Sequence, residues 1–148
     1  MSKAHTPPIT LDDFWPYHAV VLADQISRHT LNIVKNEADL NLSQWRVLAA
    51  VAEKSGRSAA EVTAITPMDK TIVSRAVSSL ITLGLITKTS DTSDKRRSSL
   101  SATQAGEAIY LKIAQRLNAD LIDNQAGQHS AKEFTKTLKT FSDMMLSL

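Results

Sequence analysis

Residues 70–90 run through twenty-one positions without one carboxylate. Within that run Thr71, Ser74, Arg75, Ser78, Ser79 and Thr82 recur at spacings of 3, 1, 3, 1 and 3. Such spacing lines one side of a 3.6-residue helix with hydroxyls and a cation. Val73, Ala76, Val77, Leu80 and Leu83 take the other side. The segment therefore reads as an amphipathic helix with its apolar stripe turned to a core. Solvated helix faces ordinarily mix Glu with Lys for solubility and pairing. A face that drops every acid suits a surface that approaches something negative. Asp94-Lys95-Arg96-Arg97 follows shortly after. The two features together point to a helix and a basic loop gripping a nucleic-acid backbone.

Charge distribution agrees with this reading better than total charge does. The net charge is only +2. Residues 67–103 hold six Lys/Arg against three Asp/Glu, a local +3, which leaves the other 111 residues at −1. A weakly basic stripe on a neutral body is compatible with phosphate contact, and its plain alternative is a solvated face. At 148 residues, 43% of them apolar, the chain has enough material for one compact unit with a real core.

Other classes are excluded by what is missing. There is no cysteine, which removes disulfides, thiolate metal ligands and thiol redox sensing. Pro7, Pro8, Asp12 and Asp13 stand where a secretory signal needs an apolar core. Residues 19–23 form the longest apolar run near the start, far short of the roughly 20 residues a membrane helix needs. The expectation is a soluble, cytoplasmic protein with no membrane partner. Four scattered histidines and no glycine-rich phosphate loop leave no enzyme to assemble, and no cofactor is expected. His18 and His29 lie three turns apart on one predicted helix, too far to share a metal, while His5 and His129 fall in predicted irregular regions.

The elements follow from capping and periodicity. Residues 1–11 read as an irregular arm. A first helix starts near Asp12 or Pro16, with Leu22, Ile26, His29 and Ile33 as its stripe, and fades near residues 37–40. Ser43 reads as the N-cap of a second helix whose buried face is Trp45, Leu48, Ala49 and Ala52 and whose end is Gly56. Ser58-Ala59-Ala60-Glu61 is a capping box that opens a short helix ending near Ile65. Thr66-Pro67 breaks the chain, Asp69 caps the acid-free helix and Gly84 closes it. Residues 85–90 and 97–101 read as two hairpin strands joined by a loop longer than a two-residue turn. Thr103 caps a long helix carrying Ile109, Ile113, Leu117 and Leu121, and residues 127–129 interrupt it. On the last helix Phe134, Leu138, Phe141, Met145 and Leu148 step by 4 and 3, a seam that wants a partner helix.

Helix, short helix, turn, helix and two-stranded wing is the order of a winged helix-turn-helix. Leu42-Ser43-Gln44-Trp45-Arg46-Val47-Leu48, Asp69-Lys70-Thr71-Ile72-Val73-Ser74-Arg75, Leu83-Gly84-Leu85-Ile86, Asp94-Lys95-Arg96-Arg97 and Thr103-Gln104-Ala105-Gly106 resemble the MarR (multiple antibiotic resistance regulator) family, in its order and at its spacing. The resemblance covers roughly residues 12–147. It implies a mainly α fold with a small β-hairpin wing, in one domain over 1–148. Residues 12–40 and 103–148 would be dimerisation helices, and 42–102 the winged DNA-binding region. It also implies a homodimeric transcriptional regulator, usually a repressor relieved by a small ligand. The unpartnered seam on the last helix supports a twofold dimer independently.

Such a dimer meets two half-sites of a near-palindromic duplex operator, about 34–36 Å apart. Helix 69–83 would enter the major groove. Arg75 is the choice for a guanine, because guanidinium matches its O6/N7 pair. Lys70, Thr71 and Ser74 serve bases or phosphates, whereas Ser78, Ser79 and Thr82 read as plain solvated residues. The resemblance implies that Arg96 enters the minor groove from the wing. Asp94 orients that loop, Lys95 and Arg97 are phosphate candidates, and Ser58 caps a helix start beside a phosphate. Pro67 stiffens the turn ahead of the recognition helix. An effector site between the dimer helices and the winged motif would involve Trp15, Tyr17, His18, Trp45 and Arg46. An indole and a guanidinium there suit an aromatic carboxylate or a phenolic compound. The plainer roles are core packing for Trp45 and an inter-helix tether for Arg46. A winged domain used only for protein contact, or a DNA binder that senses nothing small, are the competing functions. Steep salt dependence separates the first of these from DNA binding.

Overall fold

The computed structural model describes residues 7–90, 98–123 and 130–148. After a 3-10 turn at Leu11–Asp13 come α1 (Trp15–Ala38), α2 (Leu42–Glu53), α3 (Ala59–Ile65), α4 (Lys70–Thr82), β1 (Ile86–Ser90), β2 (Ser98–Ala102), α5 (Gln104–Asn118) and α6 (Ala131–Leu146). The architecture is mainly helical with one two-stranded antiparallel sheet. Among the described residues no helix is long and apolar enough to cross a membrane.

Local chemistry sets most boundaries. Pro16 sits in the first turn of α1, where its missing N–H costs nothing. The helix stops at Asp39, in the left-handed region at φ 53°, which Asp tolerates better than most residues. The expected cap of α2 is corrected. Asn41, not Ser43, is the N-cap: Asn41 Oδ1 accepts the Gln44 N–H at 2.8 Å, and Gln44 Oε1 accepts the Asn41 N–H at 2.8 Å. Asn41 has a glutamine three residues on to return the bond, while Ser43 falls inside the first turn. At α3 only half of the expected box forms: Ser58 Oγ accepts the Glu61 N–H at 3.1 Å.

α2 ends at Glu53, three residues before Gly56. Gly56, at φ 97°, lies in the turn beyond and serves the sheet. Its N–H donates to the Leu100 carbonyl, and the Leu100 N–H donates to the Arg57 carbonyl, each at 2.9 Å. The α2–α3 linker thus pairs with β2 and ties the hairpin to the helices. Arg57 Nη1 also donates to the Ala50 carbonyl at 2.6 Å, satisfying the end of α2.

α4 ends in a Schellman motif, with Gly84 at φ 72°, Leu85 N–H bonded to the Leu80 carbonyl at 2.9 Å and Gly84 N–H to the Ile81 carbonyl at 3.0 Å. Leu85 belongs to this motif and not to the strand, so β1 starts one residue later than expected. β2 is likewise shifted by one, to Ser98–Ala102, and pairs Ile86 with Ala102 and Lys88 with Leu100. Thr103 then locks the end of α4 to the start of α5. Its N–H donates to the Leu85 carbonyl at 3.0 Å, its hydroxyl donates to the Gly84 carbonyl at 2.7 Å, and the same oxygen accepts the Gly106 N–H at 3.1 Å. Gly106 is required by this approach, since a Cβ there would lie 2.0 Å from the Leu85 carbonyl oxygen.

One core joins α1 to α5 and the two strands, while α6 buries no residue in it. Val34 of α1, Val47, Leu48 and Val51 of α2, Val62 of α3, Val73 and Leu80 of α4, Ile86 of β1, Leu100 of β2 and Ile113 of α5 are fully or almost fully buried. Polar ties add α1 to α5: Lys112 Nζ meets Glu37 at 2.8 Å, Arg116 meets Glu37 at 3.6 Å, and His29 Nε2 meets Asp120 Oδ2 at 3.1 Å. α5 passes into a π-helical turn at Ala119–Asp123, so Leu121 lies in that turn and not on the regular stripe. α6, capped by Ser130 Oγ on the Glu133 N–H at 3.1 Å, keeps Phe134, Leu138, Phe141, Met145 and Leu148 exposed.

Two outcomes follow from these joints. Gly106→Ala is expected to destabilise the protein by about 3 kcal/mol, since the clash is with backbone that cannot step aside; the midpoint of urea unfolding measures it. The Lys112 hydrogen bond, with the fields of Lys112 and Arg116, outweighs desolvation and holds the Glu37 carboxyl below its ordinary 4.5. A lowered folded-state value stabilises fully above the unfolded-state value and is lost as pH falls through the folded one. Glu37→Gln is therefore expected to be less stable than the parent at pH 7, with the gap closing below pH 4.5.

Candidate nucleic-acid interface

α4 owes its placement to its buried side. Val73, Ala76, Val77 and Leu80 pack inward between α2 and α3. Asp69 Oδ1 accepts the Ile72 N–H at 2.8 Å and fixes the first turn. Thr71, Arg75, Ser78 and Thr82 form the outer ridge, with Lys70 and Ser74 beside it, all exposed. Neither Lys70 nor Arg75 has an ion pair among the described residues, so both charges are free for an anionic partner. Thr82 Oγ1 donates to the Ser78 carbonyl at 3.0 Å and is spent within the helix.

Ser79 leaves the ridge. It is half-buried and accepts a hydrogen bond from Gln44 Nε2 at 2.6 Å, so α2 and α4 are joined beside Arg75. The helix is flanked by two clefts. One, of about 360 Å³, lies between Asn41, Ser43 and Gln44 of the α2 end and Ile72, Arg75 and Ser79. The other, of about 330 Å³, lies between Ala59, Ala60 and Thr63 of α3 and Lys70 and Ser74. No carboxylate lines either one. Ser58 stands at the start of α3 with its hydroxyl engaged in the cap. Asp94, Lys95, Arg96 and Arg97 lie outside the described residues, as do His5 and His129. On the described part of the hairpin Lys88 is exposed and extends the acid-free surface; its place in the run was the one signal for it. Ile72, also exposed, carried no such signal in a face read for polar groups.

The candidate effector residues separate into two places. Trp15 meets the Phe141 ring edge-on at 4.9 Å. Trp15, His18 and Leu22 of α1 with Phe134, Leu138 and Phe141 of α6 line an apolar groove of about 280 Å³. Tyr17 lies beside this groove, edge-on to His18 at 5.6 Å. Trp45 is instead 8% exposed in the core and stacked on Tyr110 at 5.9 Å. Arg46 Nη2 donates to Ser27 Oγ at 3.4 Å, between α2 and α1. Among the described residues no group of three or more His, Asp or Glu is placed to hold a metal.

Comparison with known proteins gives a consistent picture. Residues 38–97, from the end of α1 through β1, match the MarR family. No curated protein matches the sequence. Among solved structures, a MarR/EmrR family transcriptional regulator from Acinetobacter sp. ADP1 has a TM-score of 0.81 at 19% identity, over 95% of this chain and 100% of that one. A MarR protein from Peptoclostridium difficile has a TM-score of 0.78 at 24% identity, over 97% and 94%. CouR from Rhodococcus jostii RHA1, solved bound to p-coumaroyl-CoA, has a TM-score of 0.74 at 19% identity, over 93% of each chain.

The geometry of the first turn of α4 makes one prediction. Asp69→Ala is expected to cost about 1 kcal/mol by removing the cap, read from thermal unfolding, and to leave the other helices intact by circular dichroism.

Proposed function

We propose that this chain is a MarR-family transcriptional regulator and acts as a homodimeric repressor of a near-palindromic operator; the match over residues 38–97 and the likeness of its fold to MarR-family structures support this reading. The observation that carries this reading is the exposed, acid-free ridge of α4, with Lys70 and Arg75 in no ion pair among the described residues and a fully packed base beneath. In this reading α4 lies in the major groove. Arg75 contacts a guanine, while Lys70, Thr71 and Ser74 serve neighbouring bases or phosphates. Arg96 reaches the minor groove from the wing, Lys95 and Arg97 meet phosphates, Asp94 orients the loop, and Ser58 borders the backbone.

Dimerisation is supported by the apolar seam of α6, which stays exposed in the single chain beside Trp15 and Leu22 of α1. A twofold partner would cover it and set the two α4 ridges about one helical turn apart. A small aromatic or phenolic effector is supported by the p-coumaroyl-CoA bound to CouR, and the apolar groove at Trp15 and His18, which shares its α6 side with the dimer seam, is its candidate site at the dimer junction. Trp45 and Arg46 contribute to this reading away from the groove, Trp45 through its packing on Tyr110 of α5 and Arg46 through its tether to Ser27 of α1.

Titration of a selected operator at low salt tests the DNA assignment. Arg75→Ala is expected to weaken binding by about 1–3 kcal/mol and to relax specificity at one base pair; Arg96→Ala weakens it through the minor groove. Equal affinity of the parent and both variants would discard the assignment.

A further inference from the structure

Ile72 does not match its surroundings. It lies in the first turn of α4 between Thr71 and the Ser74–Arg75 pair, and is 39% exposed. Its backbone is held by the Asp69 cap at 2.8 Å. Of the other residues that line its cleft, Asn41, Ser43 and Gln44 stand opposite, Arg75 and Ser79 alongside, and Ala76 is the one further apolar side chain. The core does not need it, because Val73, Ala76, Val77 and Leu80 already fill the buried side of α4. A water-exposed branched aliphatic gains by meeting another apolar group. The Arg75 cation and the amide and hydroxyl groups of Asn41, Ser43, Gln44 and Ser79 beside it suit an anionic, hydrogen-bonding partner. On the floor of the DNA major groove the apolar group that a base edge presents is the C5 methyl of thymine.

The position sharpens the match. Residues near the N-terminal end of a recognition helix are the ones that reach base edges. Ile72 and Arg75 are three apart and adjacent on the helix surface. Three residues rise about 4.5 Å along the axis, against about 3.4 Å per base-pair step. A group held by Ile72 therefore lies within one or two steps of the base held by Arg75.

We propose that Ile72 is a specificity-determining residue that reads the C5 methyl of a thymine one or two base pairs from the guanine contacted by Arg75. This rests on the reading of α4 as the major-groove element. Ile81 is also 39% exposed, but it sits in the last turn, away from the base edges, and serves as the control.

The test is a uracil scan. An operator is selected from random duplexes with the parent protein, and each thymine is replaced in turn by deoxyuridine, which removes only the methyl. Affinity is expected to fall about fourfold at one symmetry-related pair of thymines, the worth of burying one methyl group. Ile72→Ala should bind the methylated and unmethylated duplexes equally at that pair, and Ile81→Ala should keep the parent's discrimination. A parent indifferent to every replacement overturns the proposal, as does an unchanged fourfold loss in Ile72→Ala. If Ile72→Ala does not fold, Ile72→Val must show a smaller loss than the parent at the same pair, and an undiminished loss counts against the proposal. Failure to select any duplex defeats the assignment of α4 itself, a result distinct from an absent methyl effect.

Discussion

What α4 offers outward depends on what it buries inward. Val73, Ala76, Val77 and Leu80 hold the helix against α2, α3 and β1, and each fully buried aliphatic contributes on the order of 1.5–3 kcal/mol. With orientation fixed by that stripe, the opposite ridge is released from any structural duty and carries hydroxyls and cations without a compensating acid. The joint at Thr103 and Gly106 completes the arrangement. It ties the end of α4, the start of β1 and the start of α5 through backbone carbonyls, so that helix and hairpin keep one relative position.

Two parts of the surface carry different chemistry. The outer ridge of α4 carries hydroxyls and cations and no acid. Along α1 and α6 the surface is apolar, with Trp15, Leu22, Phe134, Leu138 and Phe141 open in the single chain. Between them α2 touches both, through Arg46 to Ser27 on α1 and through Gln44 to Ser79 on α4. In the proposed reading α2 is the element through which an effector near α1 could act on α4, since an effector shifts DNA affinity only through differential contacts with two arrangements of the protein.

Elements that announce themselves through short-range chemistry were legible in the sequence. The 3.6-residue pattern gave α4 its faces, Asp69 and Thr103 gave two caps, and Gly84 gave the helix end. What was misread involved a choice between near-equivalent local options settled by a partner. Asn41 displaced Ser43 as a cap because Gln44 returns the bond. Leu85 left the strand because its N–H was claimed by Leu80. The pairing of Gly56 and Arg57 with β2 joins residues more than forty apart and had no local signal. Ser79 matched the ridge by spacing, yet its position next to Gln44 drew it inward. Trp45 and Arg46 are neighbours in sequence, but successive residues on a helix face different ways, which is why one packs on Tyr110 and the other reaches Ser27. The wing residues 94–97 lie outside the described part of the chain, so their roles rest on the family resemblance.

The central claim is that two copies of the α4 ridge occupy successive major grooves of one duplex. Guanine N7 faces the major groove, so methylation interference at N7 on a selected operator tests it directly. The account predicts two clusters of interfering guanines, related by the twofold and centred about one helical turn apart. Binding that is indifferent to N7 methylation, or blocked at a single cluster, would contradict it.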